Sequence, residues 1–293
     1  MEYLLHLLIL VGIYVMLAQS LSLSAGFGGM ISLAHAGFYG VGAYTAALLA
    51  VRCGTPFLVA LPVAMALGGL LALVVAAIAL RTVDDYFVIC TLGIQVVVFS
   101  LMNNWMGLTR GPLGIPGIPG IRLFGVAVES KWAFLLLVAV LAALVFGVMK
   151  GLTESSFGRT LRALSEDEIF TKSLGKNVYL AKLAAFTLGA MFAAVPGALY
   201  AHYISYIDPT SFTLDESIFI LSIVILGGMR NLWGKVFAAA FLVLLPEALR
   251  FVGMPGSIAA NMRQIIYGGI LVLMMFRYSR GFAAARTAGR LAC

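Results

Sequence analysis

Gly228, Gly234 and Lys235 stand in the order of a nucleotide-binding loop, but their spacing rules that chemistry out. A loop that cradles phosphates needs G-x4-G-K followed by a Ser or Thr hydroxyl for Mg²⁺. Here the spacing is one residue too long, and Val236 supplies no hydroxyl. ATP chemistry, if the chain uses any, must come from another polypeptide. Cys53, Cys90 and Cys293 share no paired spacing and C-x-x-C is absent, so the thiols read as structural or incidental. H-E-x-x-H, G-x-S-x-G and paired carboxylates are also missing, which argues against an intramembrane enzyme. No catalytic residue, metal or cofactor is expected.

A second set of polar residues interrupts apolar windows: Gln19, His35, Gln95, Asn103 and Asn104. Polar groups are expensive in lipid and usually face a cavity, so these five are the candidates for a translocation path. His35, beside a glycine break, also reads as a hydrogen-bonded packing residue, and Asn103 and Asn104 as caps of a span near its outer mouth. Asp208, Asp215 and Glu216 are assigned to an outer loop as a solvated edge. Ion-driven transporters use buried carboxylates; here nearly all acids fall in loops, with Glu247 the main exception.

The densest charge lies between Lys150 and Lys182, GLTESSFGRTLRALSEDEIFTKSLGKNVYLAK after the first lysine. Ser165 and Glu168 match a capping box, Glu166 and Asp167 suit the first turn of a helix, and Gly175 suits its C-terminal stop. This spacing predicts a short helix over Glu166–Leu174. Phe170 and Leu174 are four apart and share a face, with Ile169 beside it. A second short helix is expected over Phe157–Leu164, exposing Leu161 and Leu164. A nine-residue helix is marginal in water, so its order must come from docking on the chain's own spans or on a partner.

The elements that carry these residues are membrane spans. The chain of 293 residues is 62% hydrophobic and 11% charged, against roughly 25% charged in soluble domains. Mean hydropathy is +1.05. Apolar windows run over Leu4–Leu23, Ile31–Val51, Phe57–Leu80, Tyr86–Met106, Trp132–Met149, Leu183–Tyr203, Ser217–Met229, Lys235–Val252 and Ile265–Phe276. The fold class is an all-α polytopic membrane protein of eight to ten spans, with glycine-interrupted segments as candidates for half depth. Residues 1–280 form one transmembrane unit with its cytoplasmic loop at 151–182, and 281–293 a basic cytoplasmic tail. The N-terminus has Glu2 and His6 but no Lys or Arg before the first apolar run, and no clear small-x-small cleavage site follows, so it reads as a retained span and not a cleaved leader.

Threading nine spans with the charged loop in the cytoplasm leaves only Arg52, Arg110, Arg122, Lys131, Arg250 and Arg263 outside, out of nineteen Lys and Arg. That is the positive-inside bias. The net charge of +7 therefore follows topology and needs no nucleic acid. Gly28-Gly29-Met30-x-x-Leu33-x4-Phe38 recurs as Gly227-Gly228-Met229-x-x-Leu232-x4-Phe237, a sign of internal pseudo-symmetry. The threading puts both copies on one side.

The loop pattern G-R-T-L-R-A-L-S-E-D-E-x6-G-x-N-V resembles the cytoplasmic coupling loop of ABC-importer permeases, specifically the LivH/LivM branched-chain amino acid permeases, with the LivM type fitting better. Four further blocks are similar to that family: GGMISLAHAGFYGVGAY from Gly28 to Tyr44; Asp85-Tyr86-Phe87 with Thr91-Leu92; Asn103-Asn104-Trp105 leading into LTRGPLGIPGIP from Leu108 to Pro119; and GGMRNLWG from Gly227 to Gly234 with Leu244-Leu245-Pro246-Glu247. Arg110 replaces a usual Gly, Gln95 a common acid and Lys235 a usual Pro.

The resemblance implies a permease in the bacterial inner membrane beside a second permease, a copy or a sister, with two cytoplasmic ATPases beneath and a periplasmic amino-acid-binding protein above. It implies that Arg159 and Glu166-Asp167-Glu168 make polar contacts with an ATPase while Ile169, Phe170, Leu174 and Gly175 shape the apolar contact. It also raises the stiff Pro/Gly loop, with Thr109, Arg110, Pro112, Ile115 and Pro116, as a docking place for the binding protein. Substrate choice is expected to rest with that binding protein, because no intramembrane charges converge. A urea or short-amide permease is the runner-up within this class.

Overall fold

The computed structural model describes residues 2–82, 85–123, 126–128 and 130–251, together with 268, 269 and 272. Helix α1, Glu2–Ser22, continues as a π-helical turn over Leu23–Phe27. Then come α2 (His35–Cys53), α3 (Phe57–Ala79), α4 (Asp85–Asn104) and the short α5 (Met106–Thr109). After an irregular stretch follow α6 (Lys131–Glu154), α7 (Ser156–Glu166), α8 (Glu168–Ser173), α9 (Val178–Ile204), α10 (Leu214–Leu226) and α11 (Leu232–Phe251). Six segments are long and apolar enough to cross a membrane: Glu2–Phe27, α3, α4, α6, α9 and Pro209–Leu226. Less apolar α2 and the shorter apolar run Leu232–Leu245 add two more helices within the bundle. The chain is an all-α multi-pass membrane protein. The ninth expected span, Ile265–Phe276, lies outside the described residues except at 268, 269 and 272; the basic tail 281–293 lies wholly outside them.

The physical reason for this architecture is visible in what each helix exposes. Leu67, Leu70, Val74 and Ile78 of α3 and Leu136, Val140 and Leu144 of α6 are exposed at helical spacing, which suits a lipid solvent. The inner faces are lined with small residues instead. Helices α2, α3 and α9 pack most extensively on one another. A Cβ on Gly42 would collide with the backbone of Ala194, and one on Gly197 with the carbonyl of Tyr39, so glycine sets the closeness of the α2–α9 crossing. Pro62 in α3 and Pro196 in α9 sit inside helices, as membrane spans tolerate. Helix α1 lies against α6, α9, α10 and α11.

Several helices start where their sequences say they should. Ser130 caps α6 by accepting from the amide of Trp132, Ser155 caps α7, and Asn177 caps α9 by accepting from Leu180. At the end opposite α7 and α8, two small antiparallel ladders form. Strand β1 (Ile115–Pro116) pairs with β4 (Tyr206–Ile207), and β2 (Arg122–Leu123) with β3 (Val126–Ala127). The two glycine motifs meet at one end of the bundle, where Gly26 packs directly on the carbonyl of Met229. Gly29 and Gly228 both have positive φ, 69° and 85°, and each precedes a helix leading away from that end. The two segments therefore lie at the same end of the bundle, and the helices that follow them run the same way.

Candidate functional site

Three regions carry the polar residues singled out by sequence. The first is the end built from α7 and α8. Helix α7 is amphipathic, and its Leu161 and Leu164 are buried, not exposed as the sequence suggested. They dock α7 on the bundle, and Arg162 adds a hydrogen bond of 2.9 Å to the Thr153 carbonyl while lying 5.3 Å over the Phe27 ring. The expected capping box at Ser165 does not form. Helix α7 runs on through Ser165 to Glu166, and the Ser165 hydroxyl donates to the Arg162 carbonyl. The chain breaks at Asp167 (φ −151°, ψ 109°), whose carboxylate accepts from the Phe170 amide at 2.9 Å. So α8 begins at Glu168, two residues later than predicted, because the stronger cap lay at Asp167. Gly175, with φ +75°, ends it as expected.

Helix α8 has six residues and cannot stand alone. Glu168 anchors it by an ion pair to Lys182 of α9 and also pairs, at 2.9 Å, with Lys172 of α8 itself. The Lys182 ammonium first, and Lys172 second, hold the Glu168 carboxyl below its ordinary pKa. Thr171 is buried beneath the helix. With that face occupied, the others point away from the protein: Ile169 is 81% exposed, Phe170 59% and Leu174 60%. Glu166 pairs with Arg230 at 2.8 Å, and Arg230 also reaches the Ser165 hydroxyl, tying the loop to the Gly227–Asn231 turn. Arg159 is exposed and folds back on Glu154 and Ser156. Polar Arg159, Glu166 and Asp167 thus share an open surface with an apolar face, at an end outside the spans.

The second region lies at mid-depth. Gln95 is halfway along α4 and fully buried; its Oε1 accepts from the Gly37 amide and its Nε2 donates to the Phe212 carbonyl, both at 2.8 Å. Ser217 of α10 accepts from the Ala36 amide at 2.9 Å, and Thr91 of α4 accepts from the Leu33 amide at 3.1 Å. The first turn of α2 has no cap from Ala34. Its orphan amides are satisfied by side chains of α4 and α10, which permits a helix to begin inside a membrane. Helix α10 also begins here, so two discontinuous helices meet N-terminus to N-terminus across Gln95.

This junction corrects several expectations. Gln95 is buried and bridges two helix ends. His35 is buried on Ser20 at 2.8 Å and packs against Phe38, as a packing residue should. Gln19 is also buried, and among the described residues neither end of its amide has a partner. Asp215 and Glu216 are not in an outer loop: they occupy the first turn of α10, level with Gln95, with Asp215 exposed and Glu216 half-buried. Sequence reasoning named them but placed them outside, because hydropathy cannot reveal that the chain dips inward after Ile207. It missed Lys235, whose buried ammonium donates to the Met229 carbonyl at 2.9 Å and lies 5.7 Å from the Phe27 ring centre.

The third region is the opposite end. Asn104 donates to Ser100 within its own helix, and half-buried Asn103 sits at the same helix end. Thr109 is buried and donates to the Met102 carbonyl at 2.7 Å, closing the α4–α5 turn. Ile115 is buried in the β1–β4 ladder. Arg110, Pro112 and Pro116 are exposed.

Apolar outer faces, helices broken at mid-depth and an anchored apolar helix outside the spans define a membrane subunit of transporter architecture. Residues 3–275 match the family of branched-chain amino acid transport system permease components, and the chain belongs to that family. It is 36% identical over 292 residues to the high-affinity branched-chain amino acid transport system permease protein LivM of Escherichia coli, covering 92% of this chain and 67% of that one. It is 24% identical over 286 residues to the LivH permease of Salmonella typhimurium, covering 89% and 88%. The autoinducer 2 import system permease LsrC of Escherichia coli is 27% identical over 176 residues, covering 57% and 49%. No solved structure matches the chain.

Proposed function

We propose that this chain is the permease subunit of an ATP-driven importer for branched-chain or similarly apolar amino acids, in the bacterial inner membrane. Its partners are a second permease, two cytoplasmic ATPases and a periplasmic binding protein. The observation that carries the reading is the exposed Ile169, Phe170 and Leu174 on a six-residue helix anchored through Glu168. An apolar face of this kind outside the spans marks a protein contact, and the positive-inside bias puts it in the cytoplasm, where ATPases are. ATPase closure pushes α8, and α7 and Arg230 carry the push to the Gly227–Asn231 turn and the π-helical end of α1. Coupling then means that two packings of the spans differ in their contacts with the ATPase.

Asp215 supports a route for substrate. An exposed carboxylate at mid-depth does not face lipid, so it faces water or the second permease. The path runs along that side of α10. On the far side, exposed Arg110, Pro112 and Pro116 remain the docking candidates for the binding protein. Reconstitution of the full chain with these partners in liposomes tests the assignment. ATP-dependent leucine accumulation is expected, and none with this chain alone. Accumulation by the chain alone, or with urea and not leucine as substrate, overturns it.

A further inference from the structure

At the end remote from α8, a cavity of about 460 Å³ opens between the first turns of α1 and α6 and the last turn of α9. It is lined by Glu2, Tyr3, His6, Lys131, Tyr203 and Ile204. Lys131 and Glu2 pair at 2.8 Å, with 47% and 82% of their side chains exposed, and His6 Nδ1 meets the Tyr203 hydroxyl at 2.7 Å. Beside it, the exposed apolar face of α6 carries a shallow, open trough of about 490 Å³ between Trp132, Ala133, Leu135, Leu136 and Ala139, all on that one helix. Lys131 and Leu135 are four apart and share a face, so the charged mouth and the apolar trough are neighbours along α6. The trough follows α6 for about 10 Å, from Trp132 towards the bilayer centre. Lys131 and Trp132 begin a span, the level at which Lys and Trp anchor to headgroups.

We propose that this cavity and trough hold one phospholipid with an ethanolamine headgroup. The headgroup phosphate accepts from the Lys131 ammonium, its primary ammonium donates to the Glu2 carboxylate, and an acyl chain lies along Trp132, Leu136 and Ala139. An exposed ion pair contributes little by itself, so opening it to admit a second, complementary pair is inexpensive. A choline headgroup has no N–H to donate to Glu2. A glycerol headgroup brings its phosphate beside Glu2 without a compensating cation. The site therefore selects ethanolamine by charge pattern and donor count. It stands on the membrane fold and does not depend on the transport assignment.

The test uses the full chain purified in detergent and mixed with ethanolamine, choline or glycerol phospholipids of identical acyl chains, with retained lipid counted by native mass spectrometry. Retention of the ethanolamine lipid is expected to exceed the others by about fivefold, the equivalent of one exposed charge-assisted contact. The double variant Glu2→Gln, Lys131→Gln loses that preference, and both sites are exposed enough for the fold to survive. Ala139→Trp fills the trough and lowers retention of all three lipids. Soluble glycerophosphoethanolamine fails to displace the lipid, which distinguishes an anchored lipid from a free headgroup. Equal retention of the three lipids by the unaltered chain overturns the proposal. So does a preference that survives the double variant, or an Ala139→Trp protein that keeps its lipid.

Discussion

Replacing Phe170 by Asp separates folding from coupling. Phe170 is 59% exposed, and a phenyl side chain offers about 200 Å², so docking of α8 removes about 120 Å² from water. At 25 cal/mol per Å² that burial contributes about 3 kcal/mol, or about 150-fold in association with the ATPase. A carboxylate in the same groove adds a desolvation cost, so the loss is at least that large. Little is lost in the isolated chain, because the side chain touches little of its own protein and the Asp167 cap uses only the Phe170 backbone amide. The assay is co-purification of the ATPase with the membrane subunit, followed by ATP-driven leucine uptake in proteoliposomes. Phe170→Asp should appear in the membrane at the normal level, release the ATPase and abolish uptake. Phe170→Leu should weaken both by less than about tenfold, since most of the apolar area remains. Normal retention and uptake with Asp at this position refute the assignment of α8.

Gln95→Leu takes the side-chain partner from the Phe212 carbonyl and leaves the Gly37 amide only its 3.1 Å bond to the Ala34 carbonyl, at about 1–3 kcal/mol for an orphaned buried group, so the thermal unfolding midpoint of the purified chain should fall; an unchanged midpoint removes the mid-depth bridge. Asp215→Leu should reduce amino acid uptake at least tenfold with little change in stability. If uptake is unaffected and the protein becomes more stable, Asp215 faces lipid and the path lies elsewhere. Glu168 has a depressed folded pKa, so its anchoring contribution is present above the ordinary glutamate value of 4.5 and is lost as pH falls through the lower folded value. Amide exchange in α8, corrected for intrinsic rates, should therefore stay flat from neutral pH to about pH 5 and rise only in more acidic solution. A rise near pH 6 would mean that another group holds the helix.

Much of this protein was legible as hydropathy. Helices α1 to α4, α6 and α9 lie where long apolar windows lay, because lipid obliges each span to satisfy its own backbone and present an apolar face. The charged loop was equally legible, since Gly175 could end a helix and Ile169, Phe170 and Leu174 had no apolar surroundings in the sequence. Its details were not. Ser165 and Asp167 both suit an N-cap, and the docking of Leu161 and Leu164 on the bundle let α7 run past Ser165 until the chain turned at Asp167.

The amino-acid order by itself determined that the chain lives in lipid, that it owns no nucleotide loop, and where its one polar helix pair falls. Only the tertiary structure decided depth. Gln95 reaches Gly37 across 58 positions and Phe212 across 117, and those two bonds set α2 and α10 nose to nose inside the bundle. That placement brings Asp215 from a supposed outer loop to the middle of the membrane. Local periodicity tells a residue which face of a helix it occupies, but its height in the bilayer depends on which distant backbone groups need a partner.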